Sequence, residues 1–171
     1  MYHLICVYDV RMKYLYHKNS QKRMYDKGTY FLSCNTSFRY PFFKDRMYCE
    51  SRIEELRICK NLKKFEMYAF CLNYDHFHLL VKPDEGVATI SEIMRSFKTN
   101  YTRKLNQVIP KKSRKFKRQK SYHDHFIRDA WDFKNHWYYT KDNYRKHWLP
   151  HDRNYHSGNP VYQDLVSLYQ L

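Results

Sequence analysis

Glycine is scarce in this sequence, with three residues in 171, and proline occurs five times. Collagen-like and low-complexity chains need one or both residues in abundance, so both classes are excluded. Long apolar runs are also missing: none approaches the roughly 18–20 residues that cross a bilayer. The N-terminus lacks the layout of a signal peptide. We therefore expect a soluble, cytoplasmic protein that does not associate with a membrane.

Cysteine pairs with the Cys-x-x-Cys spacing of metal or redox motifs are absent. The chain has five cysteines, an odd number with no framework of spacings. This pattern is typical of reduced thiols in a reducing compartment. We predict mostly buried, unpaired side chains for all of them: Cys6, Cys34, Cys49, Cys59 and Cys71.

Acidic residues are few relative to basic ones. Asp and Glu total 17 against 32 Lys and Arg, which gives a formal charge of +15. Such an excess favours a polyanionic partner, because neutralising phosphates supplies much of nucleic-acid affinity. The 18 tyrosines suit stacking on unpaired bases. Charge alone does not separate DNA from RNA or from an acidic membrane.

Four segments have the composition of β-strands, at 28–34, 65–72, 76–82 and 121–128. The second and third are separated by three residues, which predicts a hairpin. The last is predicted as a fourth core strand. In the second strand, alternate residues are expected to share one face: Phe65, Met67, Ala69 and Cys71.

Helical periodicity occurs between these strands. The clearest example begins with Thr89-Ile90-Ser91-Glu92, which has the form of a capping box. At 171 residues, one domain can bury a substantial core. The predicted helices and their capping residues are 45–60 (Asp45), 90–106 (Thr89), 131–149 (Asp129) and a short one after Asn159 and Pro160.

The motif His76-Phe77-His78 lies in the third predicted strand. Side chains alternate along a strand, so both imidazoles point to one face and Phe77 points to the other. Their Cα atoms would be roughly 6–7 Å apart, which allows both rings to bind one ion. A histidine pair on a half-exposed strand is also common without a metal. A rigid strand nevertheless suits metal geometry, which tolerates little slack.

Basic residues concentrate in two places that we predict to contact nucleic acid. One is the outer face of the helix at 90–106, and the other is the block 111–120, with seven basic residues in ten. Simple solvation of these charges is the alternative. The predicted contacts are Arg95, Lys98, Arg103, Lys111, Lys112, Arg114, Lys115, Lys117 and Arg118.

Three stretches, in this order, resemble the HUH single-tyrosine transposases, especially the REP-associated tyrosine transposases. The first is CLNYDHFHLLV at 71–81, with the histidine motif. The second is IMRSFKTNYTR at 93–103. The third is YHDHFIRD at 122–129, followed by YTKDN at 139–143. Together they extend the resemblance over residues 28–149.

The resemblance implies an α+β fold with a central antiparallel sheet (ferredoxin-like, HUH endonuclease fold) flanked by helices. It also implies metal-dependent cleavage and rejoining of single-stranded DNA beside hairpins, with Mg²⁺ or Mn²⁺. His76, His78 and Asn143 match the family's metal ligands, and Tyr139 matches its nucleophile. Tyr138 is the competitor, but only Tyr139 has the four-residue offset to Asn143. The chain departs from the family's usual residues at Tyr74, Asp75, Tyr144 and Trp148.

The resulting division of the chain is an N-terminal strand and basic arm at 1–27, a catalytic domain at 28–149 and a C-terminal tail with a short helix at 150–171. A monomer and a homodimer both remain open. Two other functions are retained. One is a hairpin-binding protein on the same scaffold that does not cut. The other is a zinc-stabilised module in which His123 or His125 joins His76 and His78.

Overall fold

A computed structural model of the chain describes residues 27–111, 114–147 and 155–168. Nearly all of the predicted N-terminal arm lies outside these residues. The elements, in chain order, are β1 (Tyr30–Asn35), α1 (Arg46–Lys63), β2 (Phe65–Leu72), β3 (His76–Pro83), α2 (Ile90–Val108), β4 (His123–Phe126) and α3 (Ala130–Lys146). Short 3₁₀ helices occupy Ser37–Arg39, Phe42–Lys44 and Pro160–Leu165.

The four strands form one antiparallel sheet in the order β2-β3-β1-β4. Strands β2 and β3 are adjacent and antiparallel, which confirms the predicted hairpin. Helices flank the sheet, so the expected α+β fold with a central antiparallel sheet is confirmed. None of the helices in the described part of the chain is both long and apolar enough to cross a membrane.

Each predicted helix begins at its predicted cap. The Asp45 and Asp129 carboxylates accept hydrogen bonds from backbone N–H groups of the first turns of α1 and α3. Thr89 and Glu92 form the full capping box of α2. The Asn159 side chain caps the 3₁₀ helix that starts at Pro160. These contacts satisfy backbone donors that a helix leaves free at its start.

Strand β3 separates two apolar layers. Its side chains Phe77, Leu79 and Val81 lie in the larger core with residues of α1 and α2. Leu80 lies in the smaller core on the opposite face, with Phe133 of α3. The predicted alternation is therefore present, and the even-numbered residues of β3 face α3.

The predicted face of β2 is wrong beyond Met67. The register of β2 against β3 shifts between Met67 and Ala69, as in a β-bulge. Met67 consequently lies in the larger core and Ala69 in the smaller one. An extra residue in one strand reverses the side-chain alternation after it.

Within the part of the chain that the structure describes, strand β4 pairs only with β1, at the edge of the sheet, rather than in its core as predicted. His123 and Phe126 at its two ends are exposed. Four of the five cysteines are described and are buried and free, as expected. Cys6 lies outside the described residues.

The C-terminal segment covers the free edge of β2. The backbone N–H of Leu72 donates to the Tyr155 carbonyl, and the N–H of Ser157 donates to the Phe70 carbonyl, both at 2.9 Å. Leu165 is buried further along the segment. An unpaired strand edge is a site for aggregation, and this segment removes it.

A buried arginine fixes the two helices behind β3. The Arg52 guanidinium lies 3.6 Å from the Phe97 ring centroid and 4.4 Å from that of Phe77. It donates to the Phe97 carbonyl at 3.2 Å. Burial lowers the pKa of Arg52 to about 10, so it remains charged at pH 7. This cation holds the back of the strand whose front carries the two histidines.

Replacing Arg52 with alanine should lower the free energy of unfolding by about 2–4 kcal/mol, because it removes ring–cation contacts and leaves a cavity. Arg52→Met keeps most of the volume without a buried charge, so its loss should be below about 1.5 kcal/mol. Urea unfolding of both variants measures the difference. A methionine variant as unstable as the alanine variant contradicts this packing interpretation.

Candidate active site

Two buried imidazoles from β3 form the floor of the site. His76 and His78 are each 5% exposed and face α3. Their ring centroids are 4.9 Å apart. Each is opposite a residue of β1, His76 opposite Asn35 and His78 opposite Ser33. Since β3 is paired on both sides, its backbone holds the two rings rigidly.

Helix α3 brings the other two predicted residues to the same place. The Tyr139 ring centroid is 5.3 Å from that of His78. Asn143, one turn later, is 1% exposed. Tyr139 and Asn143 share one face of α3, as a four-residue spacing requires. The structure thus gathers side chains separated by more than sixty positions in the sequence.

Tyr138 occupies a different face of α3. Its side chain is 47% exposed, and its ring packs against Trp137 at 5.0 Å. Among the described contacts, only Tyr139 of the pair reaches the imidazoles. The structure therefore distinguishes two adjacent tyrosines for which the sequence offered one criterion, the four-residue offset of Tyr139 from Asn143.

An asparagine that the sequence did not single out bridges the predicted ligands. The Asn73 side-chain amide donates to Oδ1 of Asn143 at 2.7 Å and contacts Nε2 of His76 at 3.0 Å. Its two N–H groups point at two lone pairs from different elements. These partly positive hydrogens stand in for a cation, because they satisfy the same two donor atoms. Asn73 belongs to the motif at 71–81, but nothing in that sequence pattern indicates that its side chain bridges His76 and Asn143.

A carboxylate sets the orientation of His76. Nδ1 of His76 is 2.5 Å from Oδ1 of Asp75, which places the proton on Nδ1 and the lone pair on Nε2. Arg39 contacts the other oxygen of Asp75 at 3.4 Å. Burial alone would raise the pKa of Asp75, but His76 and Arg39 lower it overall. Carboxylates commonly orient metal-binding histidines in this way.

The surroundings of both imidazoles favour the neutral form. Burial lowers the pKa of His76, although Asp75 opposes the effect, and burial lowers the pKa of His78 well below its usual value. Neutral imidazoles are the form that binds a metal, since a protonated ring has no free lone pair. Nearby cations, including Lys146, add to the effect on His78.

The donor set fits a divalent ion. Nδ1 of His78 is buried and has no hydrogen-bond partner among the described residues, which is costly in a protein interior. Together with Nε2 of His76 and Oδ1 of Asn143, the site offers two nitrogens and one oxygen. A third imidazole lies beside them, because the ring centroid of His147 is 4.7 Å from that of His76. His147 is four residues after Asn143, a spacing that could have revealed it.

A second group of possible metal ligands lies on the other side of the Phe31 ring from His78. The ligand atoms of His125, Asp132 and His136 are all within 4.8 Å of one another, so the group is compatible with a divalent metal. Phe31 packs between it and His78, at 5.0 Å from His136 and 5.2 Å from His78. The His125 and His136 rings are stacked, with planes 19° apart. His125 contacts Asp132 rather than the β3 histidines.

A basic groove leads away from the site. We use this name for the cleft of about 1010 Å³ lined by residues 35–39, by Thr102 and Asn106 of α2, and by residues 116–121. Of the predicted nucleic-acid contacts, Lys117 and Arg118 line it. Lys120, which ends the predicted basic block 111–120, also lines it, as does Arg39, which the sequence analysis did not select.

The remaining predicted contacts are distributed differently. Lys98 is buried, and its ammonium donates to the carbonyls of Lys120 and Ser121 at 3.0 Å. It therefore supports the wall of the groove and is not exposed to a ligand. Lys115 similarly donates to carbonyls at the end of α2. Lys112 lies outside the described residues, and four others are exposed: Arg95, Arg103, Lys111 and Arg114.

Comparison with known proteins identifies relatives of this arrangement. The family model described as "Transposase IS200 like" matches residues 24–132, more than half of the chain. That range includes the histidine motif and ends seven residues before Tyr139. A search of curated proteins gave no significant match.

Two solved structures share the fold. One is a REP-associated tyrosine transposase bound to a REP hairpin, with a TM-score of 0.62 and 23% identity over 74% of this chain and 72% of that chain. The other is a candidate transposase from Deinococcus radiodurans R1, with a TM-score of 0.52 and 18% identity over 71% and 94%. At this identity both likenesses concern the fold.

The position of α3 depends on a contact from the C-terminal segment, outside the matched residues. The His156 ring stacks on Tyr144 with centroids 3.9 Å apart and planes 6° apart. Nδ1 of His156 accepts a hydrogen bond from the N–H of Gly158 at 3.1 Å. Because Tyr144 follows Asn143 directly, this stack fixes the end of α3 that carries the predicted third ligand.

Burial lowers the pKa of His156 to about 4, whereas an unfolded chain has the usual value of about 6.5. Between these values the unfolded chain binds the additional proton, so stability falls as the pH falls from 6.5 to 4 and levels off below. His156→Gln should reduce the slope of the unfolding free energy in this window by about 1.4 kcal/mol per pH unit. Urea unfolding across the window measures it. The two proteins should have equal slopes above pH 7.5, and equal slopes within the window contradict the prediction.

Proposed function

Because the chain belongs to the family of IS200-like transposases, we propose that it cuts and rejoins single-stranded DNA beside hairpins through a covalent phosphotyrosine at Tyr139. The observation that carries this proposal is the contact between Tyr139 and His78, beside the buried Asn143 and His76. A nucleophile next to a cluster of neutral metal-binding groups is the arrangement that phosphoryl transfer requires.

His76, His78 and Asn143 are the groups that would hold the ion, with Mg²⁺ or Mn²⁺ as the candidates. A bound divalent ion would neutralise charge on the scissile phosphate. Two imidazoles are softer than Mg²⁺ prefers, so Mn²⁺ should bind more tightly. Rotation of the Asn73 amide would release both lone pairs that it now occupies.

Tyr139 supplies the nucleophile. Its phenolate oxygen attacks the phosphorus, the bond from phosphorus to the leaving sugar oxygen breaks, and that oxygen takes up a proton to become a free hydroxyl. The phosphodiester energy is kept in the phosphotyrosine, so the reaction can be reversed by another hydroxyl. This distinguishes strand transfer from hydrolysis.

Lys146 is positioned to favour the phenolate. Its ammonium lies 4.3 Å from the centroid of the Tyr139 ring, two helical turns further along α3. A free tyrosine has a pKa of about 10, so forming the phenolate at pH 7 costs on the order of 4 kcal/mol. A cation at this distance offsets part of that cost.

The DNA substrate is supported by charge and by the fold. The protein carries a formal charge of +15. Arg39, which lines the basic groove, contacts Asp75, the residue before His76. One structural neighbour is bound to a REP hairpin. If the DNA has a hairpin next to a single-stranded segment, a phosphate of that unpaired segment would lie at Tyr139.

Tyr139→Phe should abolish the covalent adduct and leave DNA affinity within about twofold, because it removes one oxygen from a ring that keeps its packing. The assay incubates labelled single-stranded DNA with the protein and Mn²⁺, then separates denaturation-resistant complexes by gel. Tyr138→Phe is the matched control and should form the adduct at the normal rate.

Adduct formation by the Tyr139→Phe variant would assign the chemistry to another residue. Failure of the unmodified protein to form any adduct would leave the non-cleaving hairpin-binding function. Chelation of the metal should stop adduct formation without unfolding the chain. Unfolding on chelation would instead indicate a structural zinc module.

Lys146→Ala should lower the rate of adduct formation at pH 7 by about tenfold and move its pH dependence upward, since more base is needed to form the phenolate. Lys146→Arg should recover most of the rate. Arg145→Ala removes the same charge from the adjacent residue, whose guanidinium contacts Tyr144, and should change the rate little. Single-turnover measurements of adduct formation from pH 6 to 9 test this. If Lys146→Ala and Arg145→Ala lower the rate equally, net charge alone explains the effect and the position of Lys146 does not.

A further inference from the structure

An aromatic ring lines the basic groove, and no other described residue buries it. Phe38 lines the groove and is 91% exposed. Burying a phenylalanine side chain would contribute about 1.5–3 kcal/mol to stability. Phe38 contributes almost none of this, so its ring is available to a ligand.

The backbone under Phe38 is strained. Phe38 and Arg39 both have φ of 54°, a left-handed conformation that costs roughly 1–2 kcal/mol for each non-glycine residue. Such strain persists only where the surroundings enforce it. The conformation turns the Phe38 ring away from the sheet and into the groove.

The turn that carries Phe38 is held at both ends. The backbone N–H of Thr36 donates to the Asp75 carbonyl at 2.8 Å, and that of Ser37 donates to the Lys117 carbonyl at 2.9 Å. The Thr36 hydroxyl donates to the Tyr40 carbonyl at 2.7 Å. A ring on a fixed turn loses little conformational freedom on binding, which is the property of a preorganised contact.

Cations surround this ring. The groove contains Arg39, Lys117, Arg118 and Lys120, and none of its described lining residues is acidic. A positive groove with an exposed aromatic ring is the general arrangement for single-stranded nucleic acid, in which phosphates follow the cations and a base stacks on the ring. Paired bases present no free face to such a ring, so a duplex is the poorer fit.

Two lining residues connect the groove to the proposed cleavage site. Asn35 in its wall is directly opposite His76 in the sheet register, and Arg39 contacts Asp75. A single DNA strand bound in the groove could therefore bring its sugar–phosphate backbone to the imidazoles.

We infer that Phe38 is a stacking platform for one unpaired base of the single-stranded DNA that flanks the scissile phosphate, with the groove cations holding the phosphates on either side. The inference rests on the proposed function for the identity of the strand. It adds a binding site for a nucleobase about which the histidine motif and the tyrosine helix carry no information.

The test measures binding in the Tyr139→Phe background, where cleavage does not interfere. Phe38→Ala should weaken binding of a labelled single-stranded oligonucleotide about tenfold, and Phe38→Trp should restore it, because stacking needs a ring rather than a particular side chain. Leu62→Ala is the matched control, since Leu62 is a 66% exposed apolar residue on α1, and should bind normally. Fluorescence anisotropy at fixed salt gives all four affinities.

A scan with single abasic sites locates the stacked base. The protein with Phe38 should lose about tenfold in affinity at one position of the oligonucleotide, and the Phe38→Ala protein should lose nothing further at that position. Unchanged affinity of Phe38→Ala, or equal sensitivity of both proteins at every position, overturns the inference. A second copy of this chain is the other possible occupant of the exposed ring, and sedimentation of the same variants tests for it. If Phe38→Ala loses self-association but keeps its DNA affinity, the inference is overturned.

The outcome is separate from that of the proposed function. Adduct formation by the protein with Tyr139 tests cleavage, and the abasic scan tests Phe38. An adduct together with an insensitive Phe38→Ala variant refutes only the stacking platform. Absence of an adduct together with a position-specific loss refutes cleavage and supports the platform.

Discussion

The alternation of side chains along β3 is the constraint on which the rest of the structure depends. Phe77 lies in the core with α1 and α2, where Arg52 packs on its ring, so His76 and His78 must face the opposite side. Pairing on both edges then fixes the direction of the two rings. Helix α3 needs to cover only one small apolar layer, built around Phe31 and Leu80, to bring Tyr139 next to His78. The arrangement of the candidate site is thus a consequence of packing a two-faced strand between two helical layers.

The site is also an electrostatic compromise. A chain with a formal charge of +15 keeps two imidazoles neutral by burying them, since burial lowers the pKa of both. Asp75 holds one proton on His76, and the Asn73 amide supplies partial positive charge to the lone pairs of His76 and Asn143. These neutral dipoles stabilise the donor atoms at less cost than a buried charge. Neutral imidazoles are also the form that a divalent cation would require.

Local patterns were sufficient to predict most of the elements. Capping residues such as Asp45 and Thr89 marked the helix starts, and the short connection between β2 and β3 identified the hairpin. The errors concern properties that only tertiary structure decides. The bulge at Tyr68 reverses the faces of β2, and the unbroken apolar run after Glu66 does not show which face each residue takes. Lys98 belongs to a basic helical face, but the chain at 120–121 returns over it and captures its ammonium. Asn73 and Phe38 acquire their positions from contacts with distant residues, and no pattern around them indicates this, whereas the spacing of His147 from Asn143 did carry a signal.

Arg39 connects the two halves of the molecule's chemistry. It contacts Asp75, which orients His76, and it also lines the basic groove. Its side chain is 62% exposed, so it can turn toward an anion at little cost in burial. Under the proposed function, a phosphate in the groove would compete with the Asp75 carboxylate for the same guanidinium. If Arg39 turned to a phosphate, Asp75 would interact more strongly with Nδ1–H of His76, which would make the imidazole a better electron donor. Binding at one site would then change affinity at the other by the same factor in both directions, as linkage requires. The Arg39–Asp75–His76 contacts thus join the groove and the candidate site in one electrostatic unit.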